Sequence, residues 1–246
     1  MARTCLAAQL FTVRQFTKTP PDIAATLKKI KQIGYDAVQI SAFGPIDKKE
    51  LRRILDGEGL LCAATHTGYP DMRDKPDQVI ADHHILGCSH IAPGSMPGEY
   101  QNEEGFARFA REASQVARVL REKGKLTWSY HNHSFELIRY GSRTGLEILF
   151  AESDPKVFNF EIDTYWITHG GGDPAAWIRR AKGRSPLVHF KDMAVQRVEK
   201  KVEQVMAEVG EGNLNWPEIL RACKEAGAQW YFVEQDVCQR DPFESL

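Results

Sequence analysis

The chain has no apolar run approaching the roughly 18 residues that a membrane-spanning helix needs, so no such helix is expected. It also has no Cys-x-x-Cys pair. Its five cysteines, Cys5, Cys62, Cys88, Cys223 and Cys238, are odd in number and widely spaced. That pattern excludes a disulfide framework and a zinc ribbon. Cys62 and Cys223 stand among apolar residues and are expected to be buried. Charge of one sign is missing too: 32 basic residues face 33 acidic ones, for a net charge of −1. The broad basic face that binds a phosphate backbone is thereby excluded, and no nucleic-acid partner is expected. The apolar stretch at the N-terminus is broken by Gln9 and is too short for a signal peptide. A cytoplasmic, reducing compartment and no membrane partner are the corresponding expectations.

Hydrophobic residues make up 42% of the 246 positions, enough for a sizeable core. Short apolar runs alternate with helical patterns along the whole chain, which is the rhythm of βαβ units and a parallel sheet. Strands are expected at Cys5–Phe11, Ala37–Ser41, Leu60–Thr65, His90–Ala92, Leu126–Tyr130, Val157–Ile162, Leu187–Phe190 and Trp230–Glu234. Helices are expected at Asp22–Ile33, Lys48–Glu58, Pro76–Leu86, Glu103–Lys123, Gly145–Glu152, Pro174–Ala181 and Pro217–Ala226. Pro20-Pro21 and Gly34 bracket the first helix, and Asp74 and Gly87 suit the start and stop of the third. A long connection follows the seventh strand. Eight strands at roughly 30-residue intervals, with no linker between them, imply one (β/α)8 barrel over residues 1–246. A doubly wound open sheet is the alternative, but it usually has fewer strands, and its Gly-x-Gly-x-x-Gly turn is absent.

In such a barrel the chemistry sits at the C-terminal ends of the strands. His131, Asp163, His189 and Glu234 stand at the ends of four successive strand-like runs. Each alone has an ordinary explanation, as a hydrogen-bonded histidine or one half of an ion pair. Their shared rim favours a metal site. Period-2 alternation places His131 with His133, Glu161 with Asp163, and His189 with Lys191. Two inward carboxylates on one strand need cations nearby. Lys191 is a candidate to hold a substrate oxyanion or to act as an acid, Glu136 adds a carboxylate near His133, and His66 ends the third strand in the same manner. Two histidines with two carboxylates suit one divalent ion of manganese, cobalt, zinc or iron better than calcium. Magnesium is not distinguished from these. The ion would act as a Lewis acid towards the oxygens of a sugar-like substrate and stabilise an enediolate. Gly170-Gly171-Gly172 lacks the Lys-Ser/Thr of a P-loop and reads as a flexible connection, with His169 beside it. Gly210-Glu211-Gly212 reads as a lid hinge or a turn.

The ordered motifs are Tyr130-His131-Asn132-His133-x-x-Glu136, Glu161-Ile162-Asp163-Thr164-Tyr165-Trp166, His189-Phe190-Lys191-Asp192-Met193, Gly210-Glu211-Gly212 and Val233-Glu234-Gln235-Asp236. Together with Gln9-Leu10-Phe11-Thr12-Val13-Arg14 they resemble the sugar phosphate isomerase/epimerase family of the xylose-isomerase-like TIM barrel superfamily. The resemblance implies one divalent metal on His131, Asp163, His189 and Glu234. On the enzyme reading the expected catalytic groups are Glu234, as ligand and possible base, with His133, Glu136 and Lys191 binding substrate or shuttling protons, and the expected substrate-binding ones are His66, Glu161, Gln9 and Trp166. Many members have Glu where this chain has His131. The sugar 3-epimerases use two metal-bound glutamates on opposite faces of a carbon, whereas a His at this position is more like the inosose dehydratase branch.

The leading expectation is therefore an isomerase or epimerase of a sugar or cyclitol, working by proton abstraction next to a carbonyl. Dehydration or other lyase chemistry stands close behind. An endonuclease-IV-like nuclease and a non-catalytic carbohydrate-binding barrel are the remaining alternatives. A closed barrel normally carries an eighth helix over strands eight and one, and here only Pro242–Leu246 can start one. An eighth helix short or missing leaves an apolar strip, so a homo-oligomer is expected through this edge. Light scattering at micromolar concentration should return a mass above that of one chain, and a monodisperse monomer would count against this expectation.

Overall fold

The computed structural model describes residues 5–246. Eight parallel strands close into a barrel: β1 (Leu6–Gln9), β2 (Ala37–Ile40), β3 (Leu61–His66), β4 (His90–Ala92), β5 (Thr127–His131), β6 (Asn159–Asp163), β7 (Leu187–Phe190) and β8 (Trp230–Val233). Each strand pairs with its sequence neighbours, and β8 returns to β1 with Ala7 beside Phe232 and Ala8 beside Val233. The expected fold class is the observed one. Helices α1 (Pro20–Ile33), α2 (Lys48–Glu58), α3 (Tyr69–Asp74), α4 (Pro76–Leu86), α5 (Glu103–Gly124), α6 (Gly145–Glu152), α7 (Thr164–His169), α8 (Pro174–Arg180), α9 (Trp216–Ala226) and α10 (Pro242–Ser245) surround it.

Local chemistry sets these elements. Thr19 and Asp22 cap α1 reciprocally, as Thr144 and Glu147 cap α6. Helix α5 buries Phe106, Phe109, Ala110, Ala113, Val116, Ala117 and Leu120 at three- and four-residue spacing, one stripe against the barrel. Along β5 and β6 the outward residues Trp128, Tyr130, Phe160 and Ile162 join that stripe in the largest core cluster. Full burial of side chains of this size contributes about 1.5–3 kcal/mol each. The inward strand residues Ala7, Ala37, Ala63, Ala64, Leu187 and Phe232 are mostly small. They leave room for the polar side chains stacked above them. Cys62 and Cys223 are buried, as expected.

Several expectations change. Strand β1 stops at Gln9 rather than Phe11, because the Gln9 Oε1 accepts the Phe11 N–H at 2.9 Å and turns the chain. Asp74 closes α3 instead of capping α4, whose N-cap is Lys75. Helix α7 occupies what read as loop, started by the Asp163 side chain at its N-cap. Gly170 and Gly172 are packing positions rather than a flexible connection: a Cβ on Gly170 would lie 2.7 Å from Leu137 carbons. The long connection after β7 holds an antiparallel hairpin, Asp192–Val198 with Lys201–Ala207. The final helix is the short α10, whose Phe243 ring lies 5.2 Å from that of Phe16.

The base of the hairpin is tied by Asp192. Its fully buried carboxylate accepts the N–H groups of Met193, Gly210, Gly212 and Leu214 and the indole N–H of Trp216. Gly210-Glu211-Gly212 is thus a pinned turn, and a Cβ on Gly212 would strike the Asp192 carboxylate. Asp192→Ala strands these buried donors and should cost about 3 kcal/mol or more in urea unfolding. A loss below about 1 kcal/mol would contradict the role assigned to this tie.

Candidate metal centre

The ends of β5, β6, β7 and β8 bring His131, Asp163, His189 and Glu234 together. One ligand atom from each lies within 4.8 Å of the others, and all four side chains are buried. His131 Nε2 is 3.3 Å from Asp163 Oδ2. His189 Nδ1 is 2.6 Å from Glu234 Oε2 and 3.9 Å from Asp163 Oδ2. The backbone holds each group in place. Asp163 uses Oδ1 to cap α7 through the Trp166 N–H at 2.9 Å, which leaves Oδ2 for the cluster. Asn132 accepts the Asp163 N–H. The Thr164 hydroxyl lies between the His189 and Lys191 backbones. His131 Nδ1 faces the Gly94 carbonyl at 3.2 Å, and a carbonyl only accepts. Nε2 faces the Asp163 carboxylate in the cluster, so a metal held there would take the Nε2 lone pair and leave the ring proton on Nδ1, donated to Gly94.

Lys191 is buried on the mouth side. Its Nζ lies 3.1 Å from Asp163 Oδ2, 2.9 Å from Glu234 Oε2 and 2.9 Å from Asp236 Oδ1. Glu161, two residues before Asp163 on β6, lies one inward position deeper. It meets His66 Nε2 at 2.8 Å and Gln39 Nε2 at 2.8 Å, and Gln39 in turn accepts from Gln9 Nε2 at 2.9 Å.

Burial works against the charged form of every group here, and neighbours decide the outcome. Burial raises the Glu161, Asp163 and Glu234 carboxyls, but His189 and His66 for the first, Lys191 and His131 for the second, and Lys191 and His189 for the third outweigh it; all three end below the ordinary carboxylate range. Burial lowers His189, yet Glu161 and Glu234 carry it up to about 10. Burial also lowers Lys191, and the carboxylates of Asp163, Glu234 and Asp236 raise it well above the usual value. His133 is pushed down to about 3 by burial and by His131 and Lys191, so its ring is neutral. Burial beside Glu234 lifts Asp236 to about 7.

A divalent ion fits this donor set. Two imidazole nitrogens and two carboxylate oxygens converge. Three buried carboxylates against the Lys191 ammonium and a protonated His189 leave an excess of one negative charge, which becomes two when a metal takes the place of the His189 Nδ1 proton.

The other expected residues divide. His133 and Trp166 stand at the mouth, their rings 5.4 Å apart, and the His133 ring lies 4.9 Å from that of His131. His133 Nδ1 and Trp166 Nε1 are buried with no hydrogen-bond partner among the described residues. Glu136 is buried in the loop after β5 but spends both oxygens on the Tyr130 hydroxyl and the His133 N–H. His66, Glu161 and Gln9 lie in the deeper layer. His169 stacks on Tyr165, and His83 is bonded to Thr65 and Val79 outside the cluster. Sequence reasoning passed over Gln39, whose only signal is its polarity within Ala37-Val38-Gln39-Ile40. It assigned no role to Asp236.

If the quartet binds a metal, Mn²⁺, Co²⁺, Zn²⁺, Fe²⁺ or Mg²⁺ at about 100 times its Kd should add about 2.7 kcal/mol and raise the thermal midpoint by roughly 5–10 °C. Asp163→Ala should abolish the rise. No shift with any of these ions would contradict the fit.

The fold is shared with known proteins. A protein named inosose dehydratase from Lacticaseibacillus casei is 28% identical over 248 residues, covering 86% of this chain and 82% of its own length. A sugar phosphate isomerase/epimerase from Parabacteroides distasonis superposes with a TM-score of 0.82 at 20% identity, over 98% of this chain and 94% of that one. An L-ribulose 3-epimerase superposes with a TM-score of 0.68 at 17% identity, over 95% and 82%. These two structural likenesses show the fold. The profile of the xylose isomerase-like TIM barrel family matches residues 27–242, and the chain belongs to that family.

Proposed function

We propose that this protein is a metal-dependent enzyme that removes a proton next to the carbonyl of an unphosphorylated sugar or cyclitol, with loss of water as the favoured outcome. The observation that carries the reading is the buried quartet with Lys191 bridging two of its carboxylates. When bound, a divalent ion supplies Lewis-acid stabilisation of negative charge on substrate oxygen. Glu234 takes the carbon-bound proton. Lys191 holds the developing oxyanion by hydrogen bonding. The neutral His133 ring and the Trp166 indole, both with unspent polar atoms, bind hydroxyls and orient the ring. In a dehydration the β-carbon–oxygen bond then breaks, and the departing hydroxyl leaves as water on receiving the proton that Glu234 took from carbon.

Isomerisation and epimerisation share the first step but return the proton to carbon. Epimerisation by two opposed carboxylates needs a second glutamate, and here His131 stands in that position with its Nδ1 proton spent on Gly94. The inosose dehydratase name carried by the Lacticaseibacillus casei relative supports elimination. The structural likeness to L-ribulose 3-epimerase keeps epimerisation as the second reading. An unphosphorylated substrate is supported by Arg14, a cation near the mouth, whose Nη atoms are taken by the Phe11 and Asp236 carbonyls. The odd number and wide spacing of the cysteines support a reducing, cytoplasmic compartment.

The test is a panel of ketoses, aldoses and inososes incubated in D₂O with Mn²⁺. An inosose should lose water and gain the ultraviolet absorbance of a conjugated ketone. Deuterium exchange without elimination would select the epimerase reading, and neither reaction with any substrate would sink the mechanism.

A further inference from the structure

We infer that Glu161 is a positioning residue for the metal centre: it fixes the ring tautomer of His189 from beneath and aims that ligand's lone pair at the quartet. The inference rests on the quartet's reading as a metal site and adds a residue to it.

The argument starts from a backbone N–H whose direction is not in question. The Phe11 N–H donates to Gln9 Oε1 at 2.9 Å, so the other end of that amide is Nε2. This Nε2 faces Gln39 at 2.9 Å, and the atom it meets is therefore Gln39 Oε1. Gln39 Nε2 is then turned to Glu161 Oε1 at 2.8 Å. His189 Nε2 lies 2.8 Å from Gln39 Oε1 and 3.2 Å from Glu161 Oε1. An amide oxygen and a carboxylate oxygen only accept, so His189 carries a proton on Nε2. Nδ1 faces Glu234 and Asp163 and is the nitrogen whose lone pair a metal on the quartet would take, in place of the proton it shares with Glu234 at 2.6 Å.

His66 completes the layer. Its Nε2 is 2.8 Å from Glu161 Oε2, and its Nδ1 faces Gln9 Nε2 at 3.5 Å and the Ser41 hydroxyl at 3.4 Å. Every N–H that reaches Glu161 points towards it. A buried anion behind a ligating imidazole holds the ring and strengthens its donor nitrogen. Substrate contact is a poor account of the same carboxylate. It is fully buried, lies deeper than the quartet, and has both oxygens occupied.

The experiment measures the Kd for Co²⁺ by chelator competition in wild type, Glu161→Gln and Gln39→Leu, with the ring ¹⁵N shifts of His189 in the zinc-loaded proteins. Glu161→Gln should weaken Co²⁺ binding by about 10–100-fold and mix the His189 tautomers, with the substrate KM at saturating metal unchanged. Gln39→Leu, which leaves the carboxylate in place, should weaken binding in the same direction and serves as the test should Glu161→Gln fail to fold. Unchanged Kd in the folded variants would overturn the inference, and a raised KM with unchanged Kd would reassign Glu161 to substrate. Wild type that binds no ion would overturn the quartet reading and the inference with it, a result distinct from tight wild-type binding that survives both substitutions.

Discussion

An excess of buried negative charge governs this molecule. Glu161, Asp163 and Glu234 are enclosed in the barrel with a single ammonium, Lys191. Removing a carboxylate from water costs several kcal/mol even after relaxation, so three of them persist only with compensating charge and donors. The structure supplies part of the compensation through Lys191 and the histidines. A divalent ion on the quartet would supply the rest. The small interior residues Ala7, Ala37, Ala63 and Ala64 belong to the same design, because they make room for polar side chains on neighbouring strands.

The quartet is precise because its members are fixed by backbone groups. Gly94 orients His131, the α7 N-terminus orients Asp163, and a relay from the Phe11 N–H through Gln9 and Gln39 orients His189. Function and fold therefore share bonds. Asp192 shows the same economy one residue beyond Lys191, tying the hairpin base to the turn before α9. The loops that frame the mouth inherit their positions from the strands that carry the ligands.

Much of this was legible in the chain. Strand ends are readable from short apolar runs, so the quartet, Lys191 and His133 could be placed at one rim, and the eightfold rhythm specified the barrel. What escaped detection has physical causes. Helix α7 is six residues long and begins at a metal-ligand candidate, so its cap was read only as chemistry. The hairpin after β7 is polar at its tip and lacks a clear alternation. Gln39 sits within an apolar strand, and nothing local says that its side chain completes a relay from another strand. The depth of Glu161 relative to Asp163 depends on barrel stagger, which no single strand reveals. His131 was legible from the start, and its imidazole in place of a second glutamate is what the proposed preference for elimination over epimerisation rests on.

The central claim is that one ion is held by His131 Nε2, Asp163 Oδ2, His189 Nδ1 and Glu234 Oε2. Anomalous diffraction from crystals grown with Zn²⁺ measures this directly. The account predicts one strong peak within about 2.0–2.2 Å of those four atoms. Crystals with zinc bound only elsewhere, or with Lys191 occupying the quartet in the presence of excess zinc, would contradict it.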